Sequence, residues 1–382
     1  MHLTMNSAAM DVELCGIREF TALANETPGV VMLTIGEPDF NTPDVIKEAA
    51  KTALDNNDTH YPEGNGNLYL RQAIARYEER KNGRRYSPEE IIVTVGATEG
   101  LFATLFTLLN PGDEVLIPTP AFNFYEDITR LCRGVPVLLP TEKNRFQLTR
   151  EQVESAITPR TKAIVLTSPN NPTGCIYTPE TMDGIHEALK DRPIFVLCDE
   201  VYRQLIYTDS YTSFSRYADM RDRTVVVQSF SKPYAMTGWR AGYLLADAPV
   251  RERIQIVHQY GVVAVPSFIQ PACAAALDYD NARELDILRR RKEYVYRRLR
   301  AMNLEVQEPE GAFYFFINIE PFGLDSLTFC TRMLRESKVA LVPGRYFETE
   351  GYLRLSYCCG EDVLKTGLDR MESFLETLRR EK

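Results

Sequence analysis

Short apolar runs alternate with longer helical patterns through the first two thirds of the chain, and this alternation most restricts the possible folds. Most runs are continuous blocks of valine, isoleucine and leucine, which is typical of strands covered on both faces. We predict strands at residues 91–95, 114–118, 135–139, 163–167, 194–198, 224–228 and 241–245. Helical patterns lie between them, such as residues 180–190, which follow Thr178 and Pro179. The alternation predicts an α/β fold around a mainly parallel sheet.

The pattern changes after residue 282. A long charged amphipathic helix is predicted over 282–302, followed by a strand over 313–319 and then by helix, strand and helix. We predict a large domain at 40–282 and a smaller α+β domain formed by 1–39 together with 283–382. The 382 residues are enough for two or three domains with substantial cores.

The charge of the chain argues against a nucleic-acid partner. Its formal net charge is −9, and its lysines and arginines are scattered rather than gathered on one face. No uninterrupted apolar stretch is long enough to span a bilayer. The first twenty residues include Asp11, Glu13 and Glu19 and lack a basic start followed by an apolar core, so no signal peptide is expected. We therefore expect a cytoplasmic protein with no membrane partner.

The cysteines, histidines and glycines favour neither a metal site nor a dinucleotide site. None of the cysteines forms a C-x-x-C pair and several lie in apolar runs, which favours reduced, buried thiols. The glycines form no strand-linked G-x-G-x-x-G. The histidines lack ligand spacing, so we interpret them as structural and expect no metal. These residues are Cys15, Cys132, Cys175, Cys198, Cys273, Cys330, Cys358 and Cys359, with His2, His60, His186 and His258.

Polar and aromatic clusters follow five of the predicted strands. Because the carboxyl ends of parallel strands meet at one edge of a sheet, ligands of open α/β sheets bind there. The clusters are Gly96-Ala97-Thr98, then Phe122 with Phe124 and Tyr125, then residues 168–174, 199–202 and 229–232. We therefore predict a single ligand site at this edge.

Part of this set is suited to an anion. The backbone N–H groups of Ala97 and Thr98 lie at a predicted strand-to-helix turn, where a helix N-terminus attracts negative charge. Ser229 and Ser231 add hydroxyl donors, and Arg240 adds a planar cation that matches phosphate.

The remaining residues suit an aromatic ring that carries an aldehyde. Asp199 ends an apolar strand, where a carboxylate needs a cationic partner such as a protonated pyridine nitrogen. Asn171 and Tyr202 can both hydrogen-bond a phenolic oxygen, and Phe122 can stack on the ring. Lys232 can form an imine with an aldehyde once its amine is deprotonated.

Motifs along almost the whole chain resemble the class I/II aminotransferases, which use pyridoxal 5′-phosphate. The stretch from Ser229 to Gly242, SFSKPYAMTGWRAG, resembles the lysine motif of that family. Within the family the chain most resembles bacterial aromatic and N-acetyl-diaminopimelate aminotransferases, including Val257-His-Gln-Tyr260. The other matching motifs are Gly36-Glu-Pro-Asp-Phe40, Tyr61-x-x-x-x-Gly66, Leu70-Arg71, Asn171-Pro-Thr-Gly174, Asp199-Glu-Val-Tyr202, Gly311-Ala-Phe-Tyr314, Val342-Pro-Gly344 and Arg354-Leu-Ser356.

The resemblance implies the type I aminotransferase fold, a seven-stranded mostly parallel sheet with helices on both faces plus a smaller α+β domain. It also implies roles for the matched residues that surround the cofactor ring. Lys232 would bind pyridoxal 5′-phosphate as a Schiff base and then move the proton, and Asp199 would pair with the ring nitrogen. Phe122 would stack on the ring, and Asn171 and Tyr202 would contact its phenolic oxygen.

Further residues are implied for the phosphate, the substrate and the partner subunit. The phosphate would be held by Ala97, Thr98, Ser229, Ser231 and Arg240. Gly36, Asn171 and Arg354 would bind the substrate, with Arg354 on its α-carboxylate. Tyr61 would reach the phosphate of the neighbouring subunit, which implies a homodimer with active sites at the interface.

The predicted function is amino group transfer between an L-amino acid and a 2-oxo acid such as 2-oxoglutarate, in a ping-pong reaction. Thr98 stands where some aspartate-specific relatives carry a lysine, and the expected surroundings, Leu14, Ile17 and Phe122, are apolar. An aromatic or other hydrophobic donor is therefore expected, with aspartate a poorer one unless Arg18 turns inward.

Two alternatives stay open at this point. A carbon–sulfur β-lyase on the same fold would share almost all of these residues, because the cofactor performs both chemistries. Release of pyruvate and ammonia from cystathionine without a 2-oxo acid would identify it. A catalytically silent ligand-sensing module is the second alternative, and the presence of Lys232 argues against it.

Overall fold

The computed structural model describes residues 4–14, 16–209 and 211–381, so the predictions made for His2 and Cys15 fall outside the described residues. The described strands are β1 (Val31–Met32), β2 (Ile91–Thr94), β3 (Glu114–Thr119), β4 (Val135–Pro140), β5 (Thr161–Thr167), β6 (Phe195–Asp199), β7 (Thr224–Ser229), β8 (Gly242–Leu245), β9 (Tyr314–Asn318), β10 (Val339–Ala340), β11 (Val342–Pro343) and β12 (Tyr352–Ser356). The described α-helices are α1 (Ser7–Met10), α2 (Gly16–Asn25), α3 (Asp44–Asp55), α4 (Leu68–Asn82), α5 (Gly96–Leu108), α6 (Phe124–Leu131), α7 (Arg150–Ala156), α8 (Pro179–Leu189), α9 (Ala248–Val262), α10 (Gln270–Asp278), α11 (Ala282–Ala301), α12 (Ser326–Ser337) and α13 (Glu361–Glu381).

Seven strands form the large sheet, in the order β2-β8-β7-β6-β5-β3-β4. The pairs from β7 through β4 are parallel, whereas β8 is antiparallel to both β7 and β2. All seven predicted runs are strands of this sheet, with ends that differ by one or two residues. The predicted seven-stranded, mostly parallel sheet is therefore confirmed.

Helices cover both faces of the large sheet, as predicted. Successive residues of a strand point to opposite faces, so Ile91 and Val93 of β2 lie in one apolar cluster and Ile92 lies in another. Side chains from α3, α4, α8 and α10 complete the first cluster, and side chains from α5, α6 and α9 complete the second. The edge strand β4 is only partly buried, whereas β2, the strand at the other edge of the sheet, is fully buried.

A smaller unit of sheet and helix is built from the two ends of the chain. Strands β11, β12 and β9 form an antiparallel sheet, and β1 pairs in parallel with β10 through Val31 and Val339. Phe20 and Leu33 from the N-terminal part share one apolar cluster with side chains of α11, α12 and α13. This packing supports the grouping of 1–39 with 283–382, and the boundaries themselves stay a prediction. Where one strand was expected after 319, the structure has three: β10 and β11, which Leu341 separates, and β12, which follows a short 3-10 helix at Gly344–Phe347.

Within the described residues, no single helix has both the length and the apolar composition needed to cross a bilayer. One pair, Ala248–Val262 with Ser267–Asp278, meets both criteria only when the two are taken together, and they are bent by 119° at the break between them.

Candidate active site

A cavity of about 630 Å³ opens at the carboxyl edge of the large sheet, against the smaller unit. Every predicted site residue except Tyr61 lines it, although these residues come from distant parts of the chain. They are Gly36, Ala97, Thr98, Phe122, Asn171, Asp199, Tyr202, Ser229, Ser231, Lys232, Arg240 and Arg354. The structure therefore brings these residues together in one cavity, and their roles stay a prediction.

The turn between β2 and α5 forms one wall of the cavity. Gly96 begins α5 with a φ of +72°, a conformation that glycine adopts without strain, and an added Cβ would lie 2.6 Å from Arg240 Nη2. Ala97 and Thr98 follow in the first turn of the 13-residue helix, where backbone N–H groups have no intrahelical partner. The helix dipole places partial positive charge at the same point, so this turn is suited to an anion.

Three further donors surround this turn. Ser229 ends β7 and Ser231 follows it, and both side chains are buried. The Ser231 backbone N–H donates to Ser229 Oγ at 3.0 Å, which fixes the turn between them. Arg240 precedes β8 on the same edge and donates from Nη1 to the carbonyl of Thr237 at 3.0 Å. Backbone amides, hydroxyls and a guanidinium together make a phosphate-sized anion site.

Asp199 lies at the end of β6 with its side chain buried. Its carboxylate accepts hydrogen bonds from Tyr125 Oη at 2.6 Å and from the Val201 backbone N–H at 3.2 Å, and neither donor is a cation. Burial raises the pKa of Asp199 to about 6, although the two hydrogen bonds oppose the shift. A buried carboxylate in this condition favours a cationic ligand group beside it.

Tyr125 is a site residue to which the sequence assigned no role. Its hydroxyl also accepts a hydrogen bond from Thr167 Oγ1 at 2.9 Å, so Thr167, Tyr125 and Asp199 form a chain of hydrogen bonds. Thr167 is paired with Asp199 in the register of β5 and β6. The sequence signal was the position of Tyr125 three residues after Phe122, and the two rings lie 6.5 Å apart between centroids.

Lys232 extends into the cavity and donates from Nζ to the carbonyl of Gly36 at 2.6 Å. Burial lowers the pKa of the Lys232 ammonium to about 8, and the neighbouring Cys358 and Glu37 oppose the shift only in part. Because its pKa is lowered, the Lys232 amine is readily available as a nucleophile or a base. The neighbouring Gly36 cannot be replaced by a larger residue without a clash, since an added Cβ would lie 2.2 Å from Tyr314 Oη.

Tyr202 and Tyr314 border the same part of the cavity. Their hydroxyl oxygens are 2.9 Å apart and hydrogen-bonded, and burial raises the pKa of Tyr202 well above its usual range. The Tyr314 motif was recognised in the sequence, but no role for its side chain was predicted. Only the folded chain brings Tyr314 of β9 next to Tyr202, which is 112 residues away in the sequence.

Arg354 projects from β12 and is almost completely buried. It donates from Nη1 to Asn171 Oδ1 at 2.8 Å and from Nη2 to the carbonyl of Thr34 at 2.6 Å. Its guanidinium carbon lies 4.5 Å from the ring centroid of Tyr314 and 5.0 Å from that of Phe347. Its Nε has no hydrogen-bond partner among the described residues. A buried guanidinium fixed in this way is suited to a carboxylate ligand.

Two predicted residues lie away from the cavity. Tyr61 is 91% exposed and does not line the cavity of its own chain. Leu14, which was expected among the apolar surroundings, is 82% exposed and does not line the cavity either, so that expectation is wrong. Leu14 precedes α2 and points to solvent, whereas Ile17 within α2 lies on the cavity wall.

The sulfur and imidazole side chains form no candidate metal centre in the described part of the chain. No group of three or more His, Cys, Asp or Glu residues there is arranged to hold an ion. The seven described cysteines are free, and all but Cys359 are buried. Of the histidines, His258 is buried between Glu99 and the carbonyl of Gly64, which is a structural contact.

Comparison with known proteins gives the class to which this fold and cavity belong. Residues 28–371 match the family model described as aminotransferase class I and II. The chain is 43% identical to a probable N-acetyl-LL-diaminopimelate aminotransferase of Bacillus subtilis, over 98% of this chain and 96% of that protein. It is 39% identical to aromatic-amino-acid aminotransferase 2 of Thermococcus litoralis, over 94% of this chain and 95% of that protein.

Solved structures give the same answer for the fold. The crystal structure of an aspartate aminotransferase from Thermotoga maritima matches with a TM-score of 0.94 at 35% identity, covering 97% of this chain and 100% of that chain. The chain belongs to the class I and II aminotransferases, a family of enzymes that depend on pyridoxal 5′-phosphate. The predicted type I aminotransferase fold and the predicted enzyme class are thereby confirmed.

Proposed function

We propose that this chain is a pyridoxal-phosphate-dependent amino acid aminotransferase that acts as a cytoplasmic homodimer. It would transfer the amino group between an aromatic or other hydrophobic L-amino acid and a 2-oxo acid such as 2-oxoglutarate. The observation that carries the proposal is the position of Lys232, with a pKa near 8, in one cavity with the buried Asp199 carboxylate and the anion site.

The residues present fit pyridoxal 5′-phosphate. The α5 N-terminus with Ser229, Ser231 and Arg240 offers donors that match its phosphate. Asp199 is a buried carboxylate without a cationic hydrogen-bond donor, which fits a protonated pyridine nitrogen. Half-buried Phe122 lies on the same cavity wall, where it can stack on the ring, so each part of the cofactor has a matching group.

When bound, the cofactor supplies an aldehyde and an electron-withdrawing ring that stabilises negative charge at the substrate α-carbon. Lys232 would hold the cofactor and, once released, would take a proton from the α-carbon and return it during transfer. Because its pKa is about 8, roughly a tenth of the Lys232 side chains are neutral at pH 7, against less than a thousandth for an ordinary lysine. Asp199 would keep the ring nitrogen protonated throughout.

Arg354 and Asn171 would orient the substrate. The two side chains are already hydrogen-bonded to each other, so little conformational entropy is lost when a carboxylate binds beside them. A fixed carboxylate directs the α-carbon of the substrate towards Lys232, which lines the same cavity. Tyr202 and Asn171 would hydrogen-bond the phenolic oxygen of the cofactor.

The walls of the cavity support a hydrophobic donor. Apolar side chains lie on both sides of it, and Thr98 carries no charge. Burial of an aromatic side chain against such walls is favourable by about 25 cal/mol per Å² of apolar surface. The apolar side chains are Ile17, Ile35, Leu101, Phe122 and Phe124.

A donor screen tests the proposed function. Purified protein with added cofactor is assayed with phenylalanine, methionine, glutamate and aspartate against 2-oxoglutarate, and kcat/KM is measured for each pair. We expect transfer from the hydrophobic donors and a lower value for aspartate. A strong preference for aspartate over every hydrophobic donor would contradict the substrate proposal. Release of pyruvate and ammonia from cystathionine without a 2-oxo acid, and no transfer, would identify a β-lyase instead.

A further inference from the structure

His258 is completely buried in α9, and its imidazole faces an acceptor at each ring nitrogen. Nε2 lies 2.8 Å from the carbonyl oxygen of Gly64, and Nδ1 lies 3.1 Å from Glu99 Oε1. A carbonyl oxygen can only accept a hydrogen bond, and an ionised carboxylate can only accept one as well. Both ring nitrogens must therefore carry a proton if Glu99 is ionised.

The surroundings of Glu99 favour its ionised form. Glu99 lies in the first turn of α5, where the helix dipole stabilises negative charge, and its Oε2 accepts a hydrogen bond from the Val95 backbone N–H at 3.1 Å. Its side chain is 14% exposed, so it keeps some contact with water. Imidazole is also a stronger base than a carboxylate, so the shared proton stays on the histidine. The pair is therefore a buried imidazolium with a carboxylate.

The negative charge of Glu99 would oppose anion binding if nothing balanced it. Glu99 directly follows Thr98, in the same helical turn whose backbone N–H groups are suited to an anion. A carboxylate so close to this turn repels a phosphate. In the described part of the chain, Glu99 forms an ion pair with His258 and with no lysine or arginine. His258 is thus the group that neutralises Glu99.

The second contact of His258 is to the segment that begins with Tyr61. The carbonyl of Gly64 accepts the Nε2 proton, and Glu63, the acidic residue beside it, is paired with Arg71 instead. Neither neutral form of the imidazole has a proton for both the carbonyl and the carboxylate, so each contact requires the other proton to be present. His258 therefore connects the anion-binding turn to the segment that is predicted to reach the partner subunit.

We infer that His258 is a positioning residue for the cofactor phosphate, since its imidazolium neutralises Glu99 and preserves the positive potential at the N-terminus of α5; this inference rests on the proposed function. Neither His258 nor Glu99 lines the cavity, so the effect on the ligand is electrostatic rather than a contact. The motif Val257-His-Gln-Tyr260, to which the proposed function gives no role, acquires one.

Cofactor forms with and without the phosphate test this inference. His258→Asn keeps an amide donor near the position of Nδ1 and removes the positive charge. Equilibrium dialysis of the cofactor-free protein gives the Kd of pyridoxal 5′-phosphate and that of pyridoxal, which has the same ring and aldehyde. The Kd of pyridoxal 5′-phosphate should rise about tenfold, and that of pyridoxal should stay within about twofold, because pyridoxal has no phosphate charge to repel. His258→Gln, whose amide reaches towards Gly64 instead, should give the same result and replaces His258→Asn if that variant does not fold.

A second change, at Glu99, distinguishes charge from packing. Glu99→Gln added to His258→Asn removes the unbalanced carboxylate, so the Kd of pyridoxal 5′-phosphate should return to within about threefold of that of the unchanged protein. A loss caused only by altered packing would persist when the second residue is also changed. An unrecovered Kd in the double variant, or an equal rise of both Kd values in His258→Asn, would overturn the inference.

The matched control is His186→Asn. His186 Nε2 lies 2.7 Å from the carboxylate of Asp219, so this variant also breaks a histidine–carboxylate pair, but neither residue lines the cavity and His186 belongs to α8. Both Kd values should equal those of the unchanged protein. A rise in the Kd of pyridoxal 5′-phosphate as large as that in His258→Asn would show that the effect does not come from Glu99.

Nuclear magnetic resonance measures the charge of His258 in the intact, cofactor-loaded protein. In protein with isotopically labelled histidine at neutral pH, an imidazolium has a proton on both ring nitrogens, whereas a neutral ring has one bare nitrogen. We expect two N–H groups at His258, with its signals assigned by elimination from variants of the other three histidines. A bare nitrogen at His258 would overturn the inference. If no donor and acceptor pair reacts, the proposed function fails, while these spectra and the two Kd values still decide the role of His258.

Discussion

Lys232 and Asp199 have pKa values that move in opposite directions for one reason. Both lie in the cavity, where burial penalises the charged form, so the lysine becomes easier to deprotonate and the aspartate harder. The pKa of Lys232 falls to about 8 and that of Asp199 rises to about 6. Near neutral pH, this pair offers a partly neutral amine and a carboxylate that readily accepts a cationic partner.

The pKa of Lys232 predicts how the cofactor-free protein reacts with pyridoxal 5′-phosphate. Only the neutral amine attacks an aldehyde, so the rate should rise with pH through about 8 and then level off. Rapid mixing at a series of pH values, followed by absorbance of the bound cofactor, measures this profile. Nα-acetyl-lysine is the control, and its rate should keep rising towards about pH 10.4. A protein profile that follows the control would show that the cavity does not lower the pKa.

At the scale of the secondary-structure elements, the backbone conformation of the turn between β2 and α5 affects the residues that are suited to bind an anion. Gly96 combines a φ of +72° with a position where an added Cβ would lie 2.6 Å from the guanidinium of Arg240. Gly112 also has a positive φ, +86°, but no atom lies within 4 Å of an added Cβ. A comparison of the two glycines therefore distinguishes the effect of backbone strain, which both positions share, from the effect of contact with Arg240, which only Gly96 has.

Gly96→Ala and Gly112→Ala are predicted to differ in cofactor retention. Each should lower the free energy of unfolding by about 1 kcal/mol, because alanine is strained at positive φ. Only Gly96→Ala should also raise the Kd of pyridoxal 5′-phosphate, by about tenfold or more, since Arg240 must move away from the anion site. Urea denaturation and equilibrium dialysis measure the two quantities. Equal cofactor affinity in the two variants would contradict a role for this turn in phosphate binding.

The sequence predicted the seven strands of the large sheet because buried strands leave continuous apolar runs. It did not predict that β8 runs antiparallel, since apolar runs carry no information on strand direction. Tyr125, although it belongs to one of the predicted clusters, and Tyr314 were given no role, because their contacts with Asp199 and Tyr202 join residues far apart in the chain. Leu14 was placed wrongly because it lies outside α2, in the exposed segment that precedes the helix.

At the scale of the whole molecule, Tyr61 is predicted to act in the partner subunit. Its side chain is 91% exposed in a single chain, which is the condition expected of a residue that contacts another chain. If its hydroxyl binds the partner's cofactor phosphate, Tyr61→Phe should raise the Kd of pyridoxal 5′-phosphate by roughly 10- to 100-fold, the effect of one hydrogen bond to a charged group.

Tyr260→Phe is the matched control, because Tyr260 is 85% exposed and has no predicted ligand. Cofactor affinity should be unchanged in this variant. Analytical ultracentrifugation at the assay concentration gives the oligomeric state in parallel. A monomer with full activity would rule out the shared active site.

The covalent attachment of the cofactor to Lys232 is the central claim, and borohydride reduction followed by peptide mass spectrometry tests it most directly. Reduction fixes the cofactor to the lysine that holds it. We expect the added mass on the peptide that contains Lys232, and neither added mass nor turnover in Lys232→Ala. Lys365→Ala, at an exposed position of α13, should behave as the unchanged protein. Reduced cofactor on any other lysine, or turnover that persists in Lys232→Ala, would contradict the account.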